Sequence, residues 1–186
     1  MIAAYVGNVF NGDIIGYRPR SPHVHRLDTM MAKPMLLEKI RRDRPLSAQC
    51  VLLRDPPEDV SPAAAWLARG GETRLFKSHL IHGGSIGVGF SQLWVGAVGA
   101  MILEPCAETP WDLCPVLGIS RKLGFRFYHL EASLADGVLR ETSPVPRPVV
   151  QTINHTRLVA HPANADEINA WLRRHAGAPW RDRSRR

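Results

Sequence analysis

An imidazole and a carboxylate two residues apart, His129 and Glu131, form the most informative chemical pair in this sequence. On an extended backbone Phe125, Phe127, His129, Glu131 and Ser133 share one face. The pair then emerges beside two phenyl rings, a partly desolvated setting that suits acid–base work. His129 is read as the acid–base group, with Glu131 or Asp28 as the carboxylate that orients it. His82 ends another extended run and opens Gly83-Gly84-Ser85. Glycines there leave backbone amides free for an oxyanion or a carbonyl oxygen. Arg20 and Arg126 add planar guanidinium forks for the same ligand. The expected activity is that of a small hydrolase or lyase, acting on a small anionic or carbonyl-containing substrate.

His23-Val24-His25 with Asp28 is a second constellation. Two histidines one residue apart on a strand point to one side, so both can meet one metal ion or one anion, with Asp28 as third ligand or orienter. Arg26-Leu27 interrupts a fuller metallohydrolase pattern, so the expectation favours no cofactor over a divalent metal at these residues. Gly83-Gly84-Ser85-Ile86-Gly87 matches GxSxG, but the chain is short for an α/β-hydrolase and lacks its repeated βαβ units, so the match is read as chance. Cys50, Cys106 and Cys114 contain no CxxC pair, which argues against a zinc ribbon or a disulfide framework.

Over a small part of its length the chain resembles the papain-like NlpC/P60 hydrolases. The resemblance rests on Tyr128-His129-Leu130-Glu131 running toward Asp136-Gly137, and on Gly177-Ala178-Pro179-Trp180 after the last helix. It implies a Cys–His dyad in which one of the three cysteines is the nucleophile. The sequence departs from that pattern, because no cysteine follows Trp180.

These groups need elements to hold them. Ile2 to Phe10 and Ile14 to Tyr17 read as a hairpin about Asn11-Gly12-Asp13. Pro34 to Arg42 reads as a helix with Met35, Leu36, Ile40 and Leu37 inward. Ala48 to Leu53 is a strand, and Ser61-Pro62 starts a helix over Ala63 to Arg69 that Gly70-Gly71 stops. Thr73 to Ile81 reads as a strand. Gly83 to Leu103 has no charged residue, and periodicity leaves it open between two strands and one helix. Thr109-Pro110 offers a short helix start. Phe125 to Thr142 reads as a hairpin about Ala135-Asp136-Gly137, and Val149 to Val159 as one more strand. Asn164 to Glu167 is a capping-box pattern, followed by Ile168, Trp171, Leu172 and His175 at helical spacing and by Gly177 as the stop. The expected fold is α+β: one domain over residues 1–177, a largely antiparallel sheet with hairpins, and about three helices packed on it.

The chain has 186 residues, 45% of them hydrophobic, which excludes a disordered or collagen-like chain and leaves enough length to bury a core. Its formal net charge of +7 comes from 24 basic and 17 acidic side chains. Residues 178–186 form a basic tail ending Arg181-Asp182-Arg183-Ser184-Arg185-Arg186. That tail, with Arg41, Arg42 and Arg44, supports the alternative of a non-catalytic module for nucleic acid or an acidic protein. The uncharged segment over 83–103 is long enough to cross a bilayer but rich in glycine, so a core role is expected, with no membrane contact. The glycines about Gly96 also suit close backbone approach in a homo-oligomer. No secretory pattern opens the chain, so the expected compartment is the cytoplasm.

Overall fold

The computed structural model describes residues 3–8, 12–30, 32–39, 44–69, 74–145 and 147–176. The expectations resting on Val9, Phe10, Ile40, Arg41, Arg42, Gly70, Gly71, Thr73, Gly177 and the tail 178–186 lie outside these residues.

The opening hairpin forms: β1 (Ala4–Asn8) pairs antiparallel with β2 (Asp13–Tyr17), with Asn8 opposite Asp13. β3 (His25–Asp28) and β4 (Lys33–Leu36) continue the meander into a four-stranded antiparallel sheet. The helix expected from Pro34 is therefore a strand, followed by a single 3-10 turn at Leu37–Lys39. Proline fits there because β4 is the edge of its sheet, where one face of the backbone has no ladder to donate to.

The second sheet has six strands in the order β10-β9-β12-β7-β5-β6. They are β5 (Cys50–Leu53), β6 (Ser78–Ile81), β7 (Ala100–Leu103), β9 (Arg126–His129), β10 (Glu141–Thr142) and β12 (Arg157–Ala160). β5 is parallel to both β6 and β7, and the other pairs are antiparallel, so the sheet is mixed. A short ribbon joins β8 (Cys106–Glu108) to β11 (Gln151–Ile153), so the last expected strand is two strands.

Five α-helices occur among the described residues: α1 (Pro62–Arg69), α2 (Ile86–Trp94), α3 (Pro110–Lys122), α4 (Leu130–Asp136) and α5 (Ala165–His175). The expected α+β single domain with antiparallel hairpins stands, with more helices than the three foreseen and parallel pairs inside the larger sheet. One apolar cluster joins the inner face of the four-stranded sheet (Ile15, Tyr17) to α2 and α3 (Phe90, Trp94, Leu117) and to Leu52, Met101, Phe127 and Val159 of the larger sheet. A second cluster lies on the opposite face, where Val51, Leu53, Ile102 and Leu158 meet α1, α4 and α5 through Leu67, Leu134 and Trp171. The larger sheet is thus covered on both faces, so β7 and β12 are buried at every position; β7 is apolar throughout and β12 is apolar after Arg157. The segment over 83–103 resolves into α2, a glycine turn and β7. No helix among the described residues is long and apolar enough to cross a membrane.

The hairpin expected at Phe125–Thr142 is corrected. Strand β9 ends at His129, and Leu130–Asp136 is helix. Leu130 and Leu134, four apart, share its buried side. His129 Nδ1 accepts the Ala132 amide at the N-terminus, and the Ser133 hydroxyl donates back to the His129 carbonyl at 2.7 Å. Gly137 has φ of +70°, and its amide donates to Ser133, which makes it a left-handed helix cap rather than a hairpin turn. The capping box of α5 also differs. Asn164 caps no amide with its side chain, and Glu167 instead accepts the distant Leu46 amide at 2.9 Å.

Candidate functional site

Strands β5, β6, β7 and β9 point the same way, as follows from their pairings, so their C-terminal ends share one edge of the larger sheet. A polar residue follows each apolar run or closes it: Arg54 after β5, His82 after β6, Glu104 after β7, and His129 as the last residue of β9. In α/β sheets ligands collect at such an edge. Here it borders a cavity of about 380 Å³, of small-molecule size. The wall includes Arg54, His82, Gly84, Ser85, Glu104, Cys106, Glu108, Trp111 and Asp112. Val6 of β1, Leu113 and Val116 of α3, and Met101 add the apolar part.

His82 projects from the turn between β6 and α2. Gly83 and Gly84 adopt φ of +66° and +115°, which reverses the chain in two residues. Ser85 then caps α2, accepting the Val88 amide at 3.4 Å. Both ring nitrogens of His82 are shielded and hydrogen-bond to no other described residue. Burial, helped by the Arg54 guanidinium, pushes its pKa below the ordinary 6.5, so the ring is neutral at physiological pH. A neutral imidazole offers one donor and one acceptor. Space for the ring depends on Gly89 in α2, where a Cβ would lie 2.8 Å from Met101 Cε and 3.3 Å from two His82 ring carbons. Gly89→Ala is expected to displace His82 from its place. Overpacking of about 1–3 kcal/mol at least offsets the roughly 1 kcal/mol of added helix propensity. Thermal unfolding and the His82 ring resonances check this. A variant more stable than the parent, with those resonances unmoved, would refute it.

The carboxylates of the wall are engaged. Glu104 accepts from the Ser61 amide at 3.0 Å and the Ser61 hydroxyl at 3.3 Å. Its pKa is raised, chiefly by burial. Glu108 is held by the buried Arg157 guanidinium through two contacts. Asp112, in the first turn of α3, accepts the Thr109 hydroxyl at 2.5 Å. Trp111 is 72% exposed at the cavity rim.

The remaining sequence candidates are distributed over the molecule. Gly84, Ser85 and His82 share the cavity, whereas His129 and Glu131 lie outside its lining. His129 sits on the same sheet edge, four strand spacings or about 19 Å from the β6 end. It does meet Glu131, with Nδ1 at 3.2 Å from Oε2, and it stacks on His155 with ring centres 4.2 Å apart. Burial, with His129 beside it, pushes the His155 pKa down. Arg126 pairs with Glu141 on the neighbouring strand at 3.4 Å, and Arg20 is exposed in a loop with φ of +61°. His23 and His25 rings meet edge to face at 6.4 Å, His23 approaches Glu38 at 3.9 Å, and Asp28 accepts the Met30 amide. The Cys–His dyad implied by the NlpC/P60 resemblance is not assembled. His129 is occupied by Glu131, Ala132 and His155, and burial raises the Cys106 thiol, which disfavours the thiolate.

Arg54, Glu104 and Trp111 were not singled out from sequence. The signal available was a polar residue directly after Val51-Leu52-Leu53 and after Met101-Ile102-Leu103.

No family profile matches the sequence, and no curated protein sequence matches it. Solved structures do resemble it. A staphylococcal IMPase-II superposes with a TM-score of 0.56 at 18% identity, covering 93% of this chain and 59% of its own. The same enzyme bound to 2'AMP gives 0.49 at 16% identity, covering 88% of this chain and 61% of that one. An IMPase/NADP phosphatase complexed with Mg2+ and phosphate gives 0.46 at 11% identity, covering 86% and 57%. The chain thus shares the fold of the first and spans less than two-thirds of its length. The expectation that favoured no cofactor is corrected: the chain's likeness is to IMPase-type structures, among them one complexed with Mg2+ and phosphate. Among the described residues, however, no group of three His, Cys, Asp or Glu side chains is placed to hold a metal ion, His23, His25 and Asp28 included. Each cavity carboxylate already accepts a hydrogen bond within the chain. The residues present do not by themselves fit a metal.

Proposed function

We propose that this chain is hydrolase-type and that its cavity takes the phosphate group of a small phosphate ester. One observation supports this most directly: Arg54, His82 and the Gly84–Ser85 turn open into one cavity on the sheet edge of a fold shared with an IMPase. Arg54 supplies charge-assisted hydrogen bonds to phosphate oxygens. Amides at the start of α2 add donors, favoured by the helix dipole. The neutral His82 ring forms part of the cavity wall and would donate to an oxygen only on turning a shielded nitrogen toward the cavity. Trp111 covers the organic part of the ester at the rim. The acid–base role foreseen for His129 would reach the cavity only indirectly. Residues 1–177 would act as one unit, and the basic segment 178–186 would add at most a weak, salt-sensitive contact with an anionic partner.

The test is binding of inorganic phosphate by calorimetry, with turnover of simple phosphate monoesters measured in added Mg2+. Millimolar or tighter phosphate binding that weakens with salt is the expected result. Absence of both binding and turnover would remove the reading.

A further inference from the structure

A continuous set of hydrogen bonds runs from His129 to the cavity wall. Glu131 Oε1 accepts the Thr156 amide at 3.1 Å. The Thr156 and Ser61 hydroxyls lie 2.8 Å apart. Ser61 in turn donates to Glu104 through its amide and hydroxyl. Thr156 is fully buried, so water does not interrupt the path there. His129 Nδ1 has two competing partners, the Ala132 amide at 3.3 Å and Glu131 Oε2 at 3.2 Å. Unprotonated, that nitrogen accepts from Ala132. Protonated, it must donate, and Glu131 is the acceptor within reach.

We propose that Ser61 and Thr156 are positioning residues that couple the His129–Glu131 pair to the charge on Glu104, so that anion binding in the cavity is tuned by a histidine that does not touch the ligand. Its consequence for the ligand rests on the phosphate-ester reading, and the coupling itself rests on the hydrogen bonds alone. With Glu104 ionised, Thr156 donates to Ser61 Oγ and Ser61 donates to the carboxylate. With Glu104 protonated, its hydroxyl donates to Ser61 Oγ, and the Ser61 hydroxyl turns to donate to Thr156 Oγ1. The two states differ by the one proton that Glu104 exchanges at the cavity, and the direction of both hydroxyl bonds reverses with it. The charged groups facing Glu104 are Glu131 from α4 and Asp55 from the loop after β5, with Cys106 two residues along. Those about Glu131 are His129, His155 and Glu104. The negative charge of Glu131 adds to burial in raising the Glu104 pKa, while Ser61 lowers it.

The experiment follows the Glu104 side-chain carboxyl by carbon-13 NMR across pH in the parent and three variants. Glu131→Gln keeps the acceptor for the Thr156 amide but removes the charge, so the Glu104 midpoint should fall. Thr156→Val removes the donor that strengthens the Ser61 hydroxyl bond, so the midpoint should rise. Thr156→Ser should restore it. An unmoved midpoint in Glu131→Gln, or equal shifts in the valine and serine variants, overturns the coupling. Glu131→Gln reads the charge effect of Glu131, and the difference between the valine and serine variants reads the path through Thr156. Inorganic phosphate added to each sample separates the two readings. Shifts without phosphate binding uphold the coupling and defeat the phosphate cavity. Phosphate binding without shifts does the reverse.

Discussion

Arg157→Met is expected to destabilise the fold by about 3–5 kcal/mol, the usual result of leaving one member of a buried ion pair without its partner. Arg157 is 1% exposed, the first residue of β12, between Leu103 of β7 and His129 of β9. Its guanidinium holds Glu108, itself buried at the end of β8 and part of the cavity wall. The pair therefore ties the β8–β11 ribbon to the larger sheet and fixes one side of the cavity. Removing the cation strands a carboxylate among apolar groups, which is dearer than the pair was favourable. Arg157→Met with Glu108→Leu should recover most of the loss, because neither charge then remains to be buried. Urea unfolding of both single variants and the double reads this out. A single variant within about 1 kcal/mol of the parent would mean that water reaches the pair.

Arg54→Met is expected to weaken phosphate binding by about 10- to 100-fold, the worth of one or two hydrogen bonds to a charged group. Arg54 lines the cavity yet is 55% exposed, and its ion pair with Asp55 spans 3.6 Å. Such a surface pair is weak, so the guanidinium is available to a ligand, and the substitution should leave stability nearly unchanged. Calorimetry at low salt measures the change. Equal affinity in the variant would exclude Arg54 from the anion site and shift the binding onto the α2 amides and His82.

Segments with one dominant local signal could be read from the sequence. The turn about Gly12, the Ser61-Pro62 start of α1 and the periodicity of α5 are each written in a few neighbouring residues. The misread segments are those where two rules apply to one residue. Gly137 suits both a hairpin turn and a helix cap, and Leu130 and Leu134 fit a strand face as well as a helix stripe. Pro34 suits a helix start and an edge strand equally, and only the missing neighbour of β4 decides between them. The turn after His82 was legible because two adjacent glycines mark a local chain reversal, and His82, Gly84 and Ser85 do line the cavity. Arg54 and Glu104 were not legible, because their meaning comes from the parallel alignment of β5, β6 and β7.

The order of residues was enough to determine an α+β domain with an opening hairpin, the helices α1 and α5, and a glycine turn after His82. Such features depend on contacts within a few residues, where backbone sterics and capping act. Folding in three dimensions decided that His129 stands about 19 Å from the His82 end of the sheet, joined to its cavity by hydroxyls from α1's cap and the approach to β12. Strand order is set by burying two apolar faces at once, and a single run of side chains carries no record of which strand will lie beside it.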